Sequence, residues 1–312
     1  MDVTLVDYTP EDAARLVALQ ERNARQHPAA QVTPPEVYAQ PAFAGGRRIP
    51  LAVDAAGALL GYAALYPQPA RGAGARIFWA VIMADPEIRG TEPVRGALLA
   101  RLLDLAQECL DAGTSHAEIR LDPAVSEERA IAYARAQGFE RLHGVYRMAR
   151  DLAEPLPTPS EPAGVACRPW KIAGEAEMRR YLAARNAAFP EGPWSLEGLQ
   201  YFARSPQWAQ GTTYSAFAPD GDLAGSVMAY WDPAPDGERP DVGYTEEVFV
   251  VPGWQRRGIA SYLLAQALGF LAEHRVRRAH LQVSAANAGA LDLYRRLGYR
   301  VVAENVVLAR PV

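Results

Sequence analysis

Apolar and polar residues follow the same order in the two halves of the chain. Near the start of each half, a short strand-like run precedes a helix, in 3–25 and again in 165–188. Two alternating apolar runs around a glycine-containing turn come next, in 51–65 and in 215–230. Alternation around such a turn is the pattern of a β-hairpin. The order of these elements indicates that one fold occurs twice.

The remainder of each half is a strand, an apolar helix, a strand, a helix and a last strand. The first of these strands ends at a proline, Pro86 or Pro252, and the last helix ends at a glycine, Gly138 or Gly298. A glycine in that position is a common helix stop, after which the chain returns as a strand. The apolar helices are predicted at 94–110 and 259–274, and the strands after them at 117–121 and 279–283.

Each half therefore reads β-α-β-β-β-α-β-α-β. This order predicts an α/β (α+β) fold class, with two tandem domains that each have a mixed, mostly antiparallel twisted sheet flanked by helices. A segment with four prolines, 154–162, lies near the midpoint, where prolines exclude a helix and stiffen the chain. We accordingly expect a first domain at 1–152, a proline-rich linker at 153–163 and a second domain at 164–312.

Composition and charge narrow the possible partners. The 312 residues carry a net charge of −4, so no overall basic field favours nucleic acid or an anionic membrane. No stretch reaches 18 uninterrupted apolar residues and the first residues form no apolar signal core, so we expect no membrane span. The two cysteines are too few for a disulfide framework, which favours a reducing cytoplasm. A monomer or a homodimer is the expected state.

The start of the second apolar helix carries a candidate anion site. The stretch 255–261 reads QRRGIAS, without the usual Ser, Thr, Asp or Asn cap before the helix. Backbone N–H groups in a first helical turn lack partners within the helix and, with the helix dipole, favour a phosphate or pyrophosphate. Gly258 and Ala260 would leave room for it, and Arg256 and Arg257 would add charge-assisted contacts. The turn alone equally fits an ordinary strand-to-helix connection with solvated arginines.

A second motif downstream changes this interpretation, because together the two stretches resemble the GNAT superfamily of N-acetyltransferases. The acetyl-coenzyme A loop of that family, Q/R-x-x-G-x-G/A, matches 255–260. Its N-x-x-A-x-x-x-Y-x-x-x-G-F/Y signature matches Asn287, Ala290, Tyr294, Gly298 and Tyr299. The resemblance is clear over 164–312 and weaker, but in the same order, over 1–150.

The resemblance implies transfer of an acetyl group from acetyl-coenzyme A (acetyl-CoA), a co-substrate, to a primary amine of a small molecule or peptide in a ternary complex. The pyrophosphate would rest on the helix-start turn, and the pantetheine arm would run beside the preceding strand end like an added strand. A backbone N–H near Val250 would hold the developing oxyanion. The implied cofactor-binding residues are Phe249, Val250, Val251, Gln255, Arg256, Arg257, Gly258, Ile259, Ala260, Ser261, Asn287 and Tyr294.

The implied catalytic residues are Tyr294, Glu246 and Glu247. An amine is mostly protonated near neutral pH, so a base must take a proton before or during attack. An acidic pair stands similarly before the cofactor loop in polyamine-type members of the superfamily, so both glutamates are candidates for the base. Glu246 is expected to share a sheet face with Val248 and Val250 and is preferred, whereas Glu247 is expected on the other face. Tyr294 would protonate the thiolate leaving group.

The first half lacks these residues at the matching positions. Counted from the shared proline, Gly258 corresponds to Glu92 and Ala260 to Val94, with Pro93, which has no N–H, between them. The other correspondences are Ala134 for Tyr294, Glu127 for Asn287 and 79–83 for the acidic strand. We therefore expect one working cofactor site and a degenerate first domain that supports the fold or shapes the substrate cleft. Tandem members with one active half are known in the superfamily, mycothiol synthases among them.

Other kinds of site are not favoured. The five histidines form no H-E-x-x-H or paired-cysteine pattern, so no metal site is expected. Cys109 and Cys167 are expected to pack in the core rather than act as nucleophiles. Four aromatic residues either line an acceptor pocket or belong to the core of the second domain: Trp194, Tyr201, Phe202 and Trp208.

Two alternatives to an acetyltransferase remain open. One is a noncatalytic acyl-CoA sensor or scaffold with the same loop, which would have no need of Tyr294 and Glu246. The other is a transferase that uses a different acyl-CoA, such as the succinyl form. The acceptor amine has no visible sequence motif, since fold does not determine substrate.

Overall fold

The computed structural model describes residues 2–30, 32–69, 74–190, 192–231 and 240–312. The chain forms two compact units. Unit 1 comprises 1–145 and 303–312, and unit 2 comprises 146–302. Within the described ranges, no helix combines the length and the apolar character needed to cross a membrane.

Unit 1 has five consecutive neighbouring strands, β1 to β5, of which only β4 and β5 run parallel. A short 3₁₀ helix, Pro10–Asp12, follows Thr9 at the cap position and precedes the first α-helix. The elements are β1 (Thr4–Asp7), α1 (Ala13–Gln26), α2 (Pro35–Tyr38), β2 (Pro50–Val53), β3 (Leu59–Pro67), β4 (Ala75–Ala84), α3 (Glu92–Glu108), β5 (His116–Leu121) and α4 (Glu128–Ala136).

Unit 2 repeats this order, with two short α-helices before its hairpin where unit 1 has one. The strands β7 to β10 are antiparallel neighbours, and β10 and β11 run parallel. The elements are β6 (Glu140–Asp151), β7 (Ala166–Trp170), α5 (Glu175–Ala188), α6 (Leu196–Phe202), α7 (Pro206–Ala209), β8 (Thr212–Phe217), β9 (Leu223–Trp231), β10 (Val242–Val250), α8 (Ile259–Glu273), β11 (Arg278–Ser284), α9 (Ala288–Arg296) and β12 (Arg300–Pro311).

The predicted tandem α/β fold is confirmed, including the hairpins and the helix stops. Gly138 and Gly298 follow α4 and α9 with φ of +84° and +87°. In this left-handed region a side chain is disfavoured, so glycine ends both helices at little cost. The same local sequence signals therefore produce the same turns and helix ends in both halves.

The compact units group the strands differently from the boundaries that the sequence suggests. The end of β12 lies in unit 1, where it runs antiparallel to β5 with Leu308 opposite Leu121. Conversely, β6 enters unit 2 at residue 146, and its Met148 lies in the unit 2 core. Each half of the sequence thus contributes its last strand to the unit formed mainly by the other half.

The sheet of unit 2 is covered on both faces. Helices α8 and α9 cover one face, here called the α8 face, with a core that includes Leu268 and Leu291. Helices α5, α6 and α7 cover the other, here called the α5 face, with a core that includes Tyr181, Leu199 and Trp208. Burial of these apolar side chains fixes the sheet between two helical layers.

Candidate functional site

The strands β10 and β11 of unit 2 separate part of the way along their length. Their parallel register covers Val242 to Tyr244, with Tyr244 opposite His280, and ends there. On its other side, β10 stays paired with β9 as far as Val250, which lies opposite Gly225. The later half of β10 therefore has an open edge toward β11.

A β-bulge interrupts β10 at this opening. The register with β9 shifts between Glu246 and Phe249, and Glu247 adopts a left-handed backbone with φ of +50°. The bulge reverses the alternation, so that Val248 and Val250 pack against the α8-face core while Phe249 is buried in the α5-face core.

The prediction that Glu246 shares a face with Val248 and Val250 is therefore wrong. It assumed an uninterrupted period of two, which the extra residue breaks. Glu246 instead lies opposite Met228 of the α5-face core, and its carboxylate accepts a hydrogen bond from the hydroxyl of Tyr230. Both glutamates contact residues of the α5 face.

The backbone at the end of β10 presents one N–H group toward the open edge. The N–H of Val251 donates to the carbonyl of Ala224 on the β9 side, at 2.9 Å. Successive residues of a strand direct their backbone groups to opposite edges, so the N–H of Val250 faces the open edge. The carbonyl of Val250 accepts a hydrogen bond from the Gln255 side chain, at 3.1 Å. Gln255 thereby ties the following loop to the strand end.

The start of α8 is left without a side-chain cap. Gly258 occupies the cap position with φ of +82°, and a Cβ added there would meet no atom within 4 Å. Ile259 is 1% exposed and anchors the helix in the α8-face core, whereas Ala260 and Ser261 are half-buried. The first-turn N–H groups have no acceptor one turn earlier, which together with the helix dipole suits an anion.

The two arginines of this loop have different surroundings. The Arg257 guanidinium lies 4.6 Å from the centre of the Trp254 ring and donates to the carbonyl of Gly253 at 3.1 Å. Arg256 is exposed and has a left-handed backbone with φ of +59°. Arg257 is thus held by the loop itself, and Arg256 carries the more accessible charge.

Glu247 takes part in a buried ion pair. Its carboxylate receives two hydrogen bonds from Arg185 of α5, at 2.6 and 3.3 Å. The Arg185 and Glu247 side chains are 7% and 17% exposed. The Arg185 guanidinium also lies 5.1 Å from the Phe189 ring centre and 4.9 Å from that of Trp194. Glu247 therefore anchors the bulge of β10 to α5.

Arg185 is a residue that the motifs did not reveal, although the sequence contained a signal for it. Met178, Tyr181, Leu182 and Arg185 recur at helical spacing and form the buried face of α5. A charged residue in such an apolar stripe requires a buried partner. The hydroxyl of Tyr181, fully buried beside this pair, has no hydrogen-bond partner among the described residues.

Tyr294 lies on α9 and is connected to β10 through a second tyrosine. Its ring centre is 6.0 Å from that of Tyr299, whose hydroxyl is 2.5 Å from the Thr245 hydroxyl. Thr245 directly follows the last residue of β10 that pairs with β11. Tyr294 is 6% exposed, and burial raises the pKa of its hydroxyl to about 12. The group therefore keeps its proton at any physiological pH.

Asn287 forms the cap of α9. Its side-chain oxygen accepts a hydrogen bond from the backbone N–H of Ala290, at 3.1 Å. This is the interaction expected of an asparagine at a helix start. Asn287 thus contributes at least to the placement of the helix that carries Tyr294.

Phe202 of α6 connects Tyr230 to two other aromatic side chains of the α5 face. Phe202 contacts the rings of Tyr230, Trp194 and Trp208 with centre distances of 5.3, 6.2 and 5.5 Å. Trp208 is 2% exposed and belongs to the core, whereas Trp194, Tyr201 and Phe202 are half-buried. The half-buried rings lie on the α5 face, which also carries Glu246.

The corresponding region of unit 1 is built differently. The register of β4 with β5 continues to Ala80 opposite Leu121, the last residue of β5. The register of β4 with β3 has no shift from Phe78 to Ala84. In the described residues β4 therefore lacks the bulge of β10, and it leaves its parallel neighbour later: pairing ends four residues before Ala84 in β4 and six residues before Val250 in β10. Its helix α3 begins with Glu92 and Pro93, an acidic residue and one without an N–H.

The cysteines pack at the edges of the two cores. Cys109 lies against the core of unit 1 and Cys167 against the α8-face core of unit 2. Burial raises the pKa of the Cys167 thiol to about 11, which disfavours the reactive thiolate. In the part of the chain that the structure describes, no three or more His, Cys, Asp or Glu side chains converge as metal ligands.

Sequence comparison relates this site to a known family. The profile of the acetyltransferase (GNAT) family matches residues 179–299, which include β10, α8 with its uncapped start and α9 with Tyr294. A protein of Tsukamurella paurometabola named mycothiol acetyltransferase is 32% identical over 250 residues, covering 77% of this chain and 79% of that protein.

The fold of the whole chain recurs in solved structures. A GCN5-related N-acetyltransferase from Sphaerobacter thermophilus gives a TM-score of 0.71 at 23% identity, covering 99% of this chain and 95% of that one. A tandem GNAT protein from the clavulanic acid biosynthesis pathway gives a TM-score of 0.72 at 16% identity, covering 99% and 98%. The chain therefore belongs to the GNAT family of acetyltransferases and has the tandem form of its fold.

Proposed function

We propose that unit 2 transfers an acetyl group from acetyl-CoA to a primary amine of a small molecule or peptide. The observation that carries this proposal is the open edge of β10, which leads directly into the uncapped start of α8. A strand edge and a helix start in succession suit a ligand with an amide-containing arm and a pyrophosphate. Glu246, beside the opening on the α5 face, supplies a base for the amine.

The residues at the opening fit acetyl-CoA. The open space at Gly258 and the free first-turn N–H groups of α8 support a pyrophosphate there, with Arg256 as the accessible positive charge. The open edge of β10 gives the thioester end of the pantetheine arm a place beside the strand, with the N–H of Val250 directed toward it. Ile259 holds the helix start in place because its side chain is fully buried.

The reaction step needs one base and one oxyanion donor from this chain. Glu246 accepts a proton from the ammonium form of the amine, whose nitrogen then forms a bond with the thioester carbonyl carbon as the carbon–sulfur bond breaks. The nitrogen loses a second proton as the amide forms, and the sulfur takes up this proton. The N–H of Val250 faces the open edge and would stabilise the negative charge that develops on the carbonyl oxygen. The products are the N-acetyl amine and coenzyme A.

Tyr294 stabilises the leaving group as a hydrogen-bond donor. A group with a pKa of about 12 transfers its proton unfavourably to a thiolate, because thiols have pKa values near 8.5. The hydroxyl can still donate a hydrogen bond to the developing negative sulfur, and hydrogen bonds to charged acceptors are the stronger ones. We therefore propose that Tyr294 stabilises the thiolate by a hydrogen bond and does not transfer its proton to the sulfur.

We propose one working cofactor site per chain, in unit 2. The unshifted register of β4 with β3, without a bulge, and the Glu92-Pro93 start of α3 support a noncatalytic unit 1. A carboxylate at the helix start would repel a pyrophosphate, and proline removes one of the donors.

A thiol-release screen tests the proposed function. Full-length protein is incubated with acetyl-CoA and a panel of amines that covers polyamines, amino sugars, amino acids, peptides and mycothiol-type acceptors, the last because of the relative's name. At least one amine class should release coenzyme A in a Glu246-dependent manner. Binding of acetyl-CoA without release by any class would instead favour the acyl-CoA sensor, and preference for a larger acyl-CoA would replace the acetyl donor.

A further inference from the structure

Arg147 of β6 faces the same side of the unit 2 sheet as Glu246. Its neighbours Tyr146 and Met148 pack in the α8-face core. Arg147 has a half-buried side chain. Because successive side chains of a strand point to opposite faces, Arg147 points to the α5 face.

His280 of β11 lies next to Arg147 on that face. Ala279 and Leu281 on either side of it are buried in the α8-face core, so His280 is directed to the α5 face. Strands β6 and β11 are neighbours in the sheet. The Arg147 charge is close enough to lower the pKa of His280, after burial as the larger cause. The imidazole is therefore neutral at pH 7.

One nitrogen atom of each of these side chains lacks the partner that a buried polar atom normally has. The Nε of Arg147 and the Nε2 of His280 are shielded from water and have no hydrogen-bond partner among the described residues. Within the described ranges no acid forms an ion pair with Arg147. Asp241, the acid near His280, is paired with Arg277 and Arg278 at 3.5 and 2.5 Å. A cation in this position is prepared for an anion from outside the chain.

Arg147 and His280 lie on the same face of the sheet as the proposed amine site, a short distance from Glu246. His280 lies opposite Tyr244, the last paired residue before β10 and β11 separate. Glu246 is two residues further along β10 on the same face. Two strand spacings from β6 to β10, about 10 Å, and two residues along β10, about 7 Å, together give a separation of about 12 Å. An extended tripeptide spans about 10 Å, and the Arg147 and Glu246 side chains cover the remainder.

We propose that Arg147 and His280 bind a carboxylate at the far end of the acceptor whose amine is deprotonated by Glu246. The acceptor class is then a short peptide or a long ω-amino acid that carries both a free amine and a carboxylate. Arg147 supplies the charge-assisted hydrogen bonds, and neutral His280 supplies a donor that fixes the orientation. This inference rests on the proposed transferase function of unit 2.

The test compares triglycine with triglycinamide, which differ only in the terminal carboxylate. The wild-type protein should acetylate triglycine with a kcat/KM about 10- to 100-fold higher, mainly through KM, as expected for hydrogen bonds between charged groups. Arg147→Gln should reduce this ratio to about one, and Arg147→Lys should keep part of it. Arg179→Gln serves as the control, because Arg179 is an exposed arginine of α5 paired with Glu175 at 2.7 Å.

Calorimetric binding of the two peptides in the presence of coenzyme A gives a second readout that needs no turnover. The wild-type protein should bind triglycine more tightly, and Arg147→Gln should bind both peptides equally. A wild-type protein without carboxylate preference, or a preference that survives Arg147→Gln, overturns the inference. If no amine is acetylated at all, the transferase proposal fails, while the calorimetric comparison still decides whether Arg147 binds the carboxylate.

Discussion

Glu246 and Glu247 are adjacent and chemically identical, yet the structure gives them different surroundings. The bulge in β10 places the Glu246 carboxylate against the hydroxyl of Tyr230 and the Glu247 carboxylate in a buried ion pair with Arg185. The sequence-based preference for Glu246 as the base assumed strict alternation of side chains along β10, which the bulge interrupts. Our preference for Glu246 is kept, but its reason is now the ion pair of Glu247.

The two glutamates should therefore respond differently to substitution. Glu247→Ala leaves Arg185 buried without its partner and should lower the free energy of unfolding by about 3 kcal/mol. Glu246→Gln should change stability by less than about 1 kcal/mol and lower kcat by at least about 100-fold. Urea unfolding and steady-state rates of both variants measure this. An equally inactive, fully stable Glu247→Ala variant would mean that Glu247 is the base.

Tyr294 leads to a prediction about pH. Burial raises its pKa to about 12, so the protonated, donating form persists well above the usual tyrosine range. Tyr294→Phe should lower kcat about 10-fold or more with nearly unchanged acetyl-CoA affinity. The wild-type kcat should show no loss due to Tyr294 between pH 8 and about pH 11. A fall centred near pH 10 that disappears in Tyr294→Phe would contradict the assigned environment.

At the scale of elements, the two helix-stop glycines form a natural comparison. Gly138 and Gly298 have nearly the same left-handed backbone, at +84° and +87°. A Cβ at Gly138 would meet nothing within 4 Å, whereas one at Gly298 would overlap the Arg150 guanidinium. Arg150 is 4% exposed and donates to the carbonyls of Leu297 and Pro155. Gly138 is therefore required only for its backbone conformation, whereas Gly298 is also required because Arg150 occupies the space of a side chain.

Alanine at the two positions should separate these requirements. Gly138→Ala should cost about 1 kcal/mol of unfolding free energy, from the backbone alone. Gly298→Ala should cost about 3 kcal/mol, because it also displaces the hydrogen-bonded arginine. In an Arg150→Ala background, the added cost of Gly298→Ala should fall to about that of Gly138→Ala. Equal costs of the two single substitutions in the wild-type background would disprove the role of Arg150.

Helices, strands and turns were predicted from the sequence more completely than the functional site or the grouping of strands into units. Turn glycines, the prolines at strand ends and the helical periodicity are local signals, so the hairpins, α8 and α9 appear where they were predicted. The separation of β10 from β11 and the bulge depend on partners distant in sequence. The spacing of motifs could therefore locate the cofactor loop at 255–260 but not the ion pair between Arg185 and Glu247.

At the scale of the whole molecule, the exchanged last strands are the feature that the repeat did not predict. The repeat suggested that each half is complete, because β6 and β12 follow matching helices. The structure instead groups Val306 and Leu308 with the core of unit 1, and Met148 with the core of unit 2. A repeated pattern identifies strands but leaves open which of two similar sheets each strand joins.

Leu308→Ala should consequently destabilise unit 1, although Leu308 lies near the end of the second half of the sequence. Leu308 is fully buried, so the substitution should cost about 3 kcal/mol. Hydrogen exchange should accelerate in β5 and α3 and change little in β10 and α8. Leu268→Ala, an equally buried position in α8, should show the reverse. Accelerated exchange confined to unit 2 in Leu308→Ala would contradict the strand grouping.

The central claim is that one chain carries one acetyl-CoA site, at the start of α8. Titration calorimetry of the full-length protein with acetyl-CoA should give one site per chain, and Gly258→Glu, which copies Glu92 of unit 1, should abolish binding. Gly258→Ala introduces the same left-handed strain without the charge, at a cost of about 1 kcal/mol, and should retain measurable binding. Two sites per chain, or wild-type affinity in Gly258→Glu, would contradict the claim.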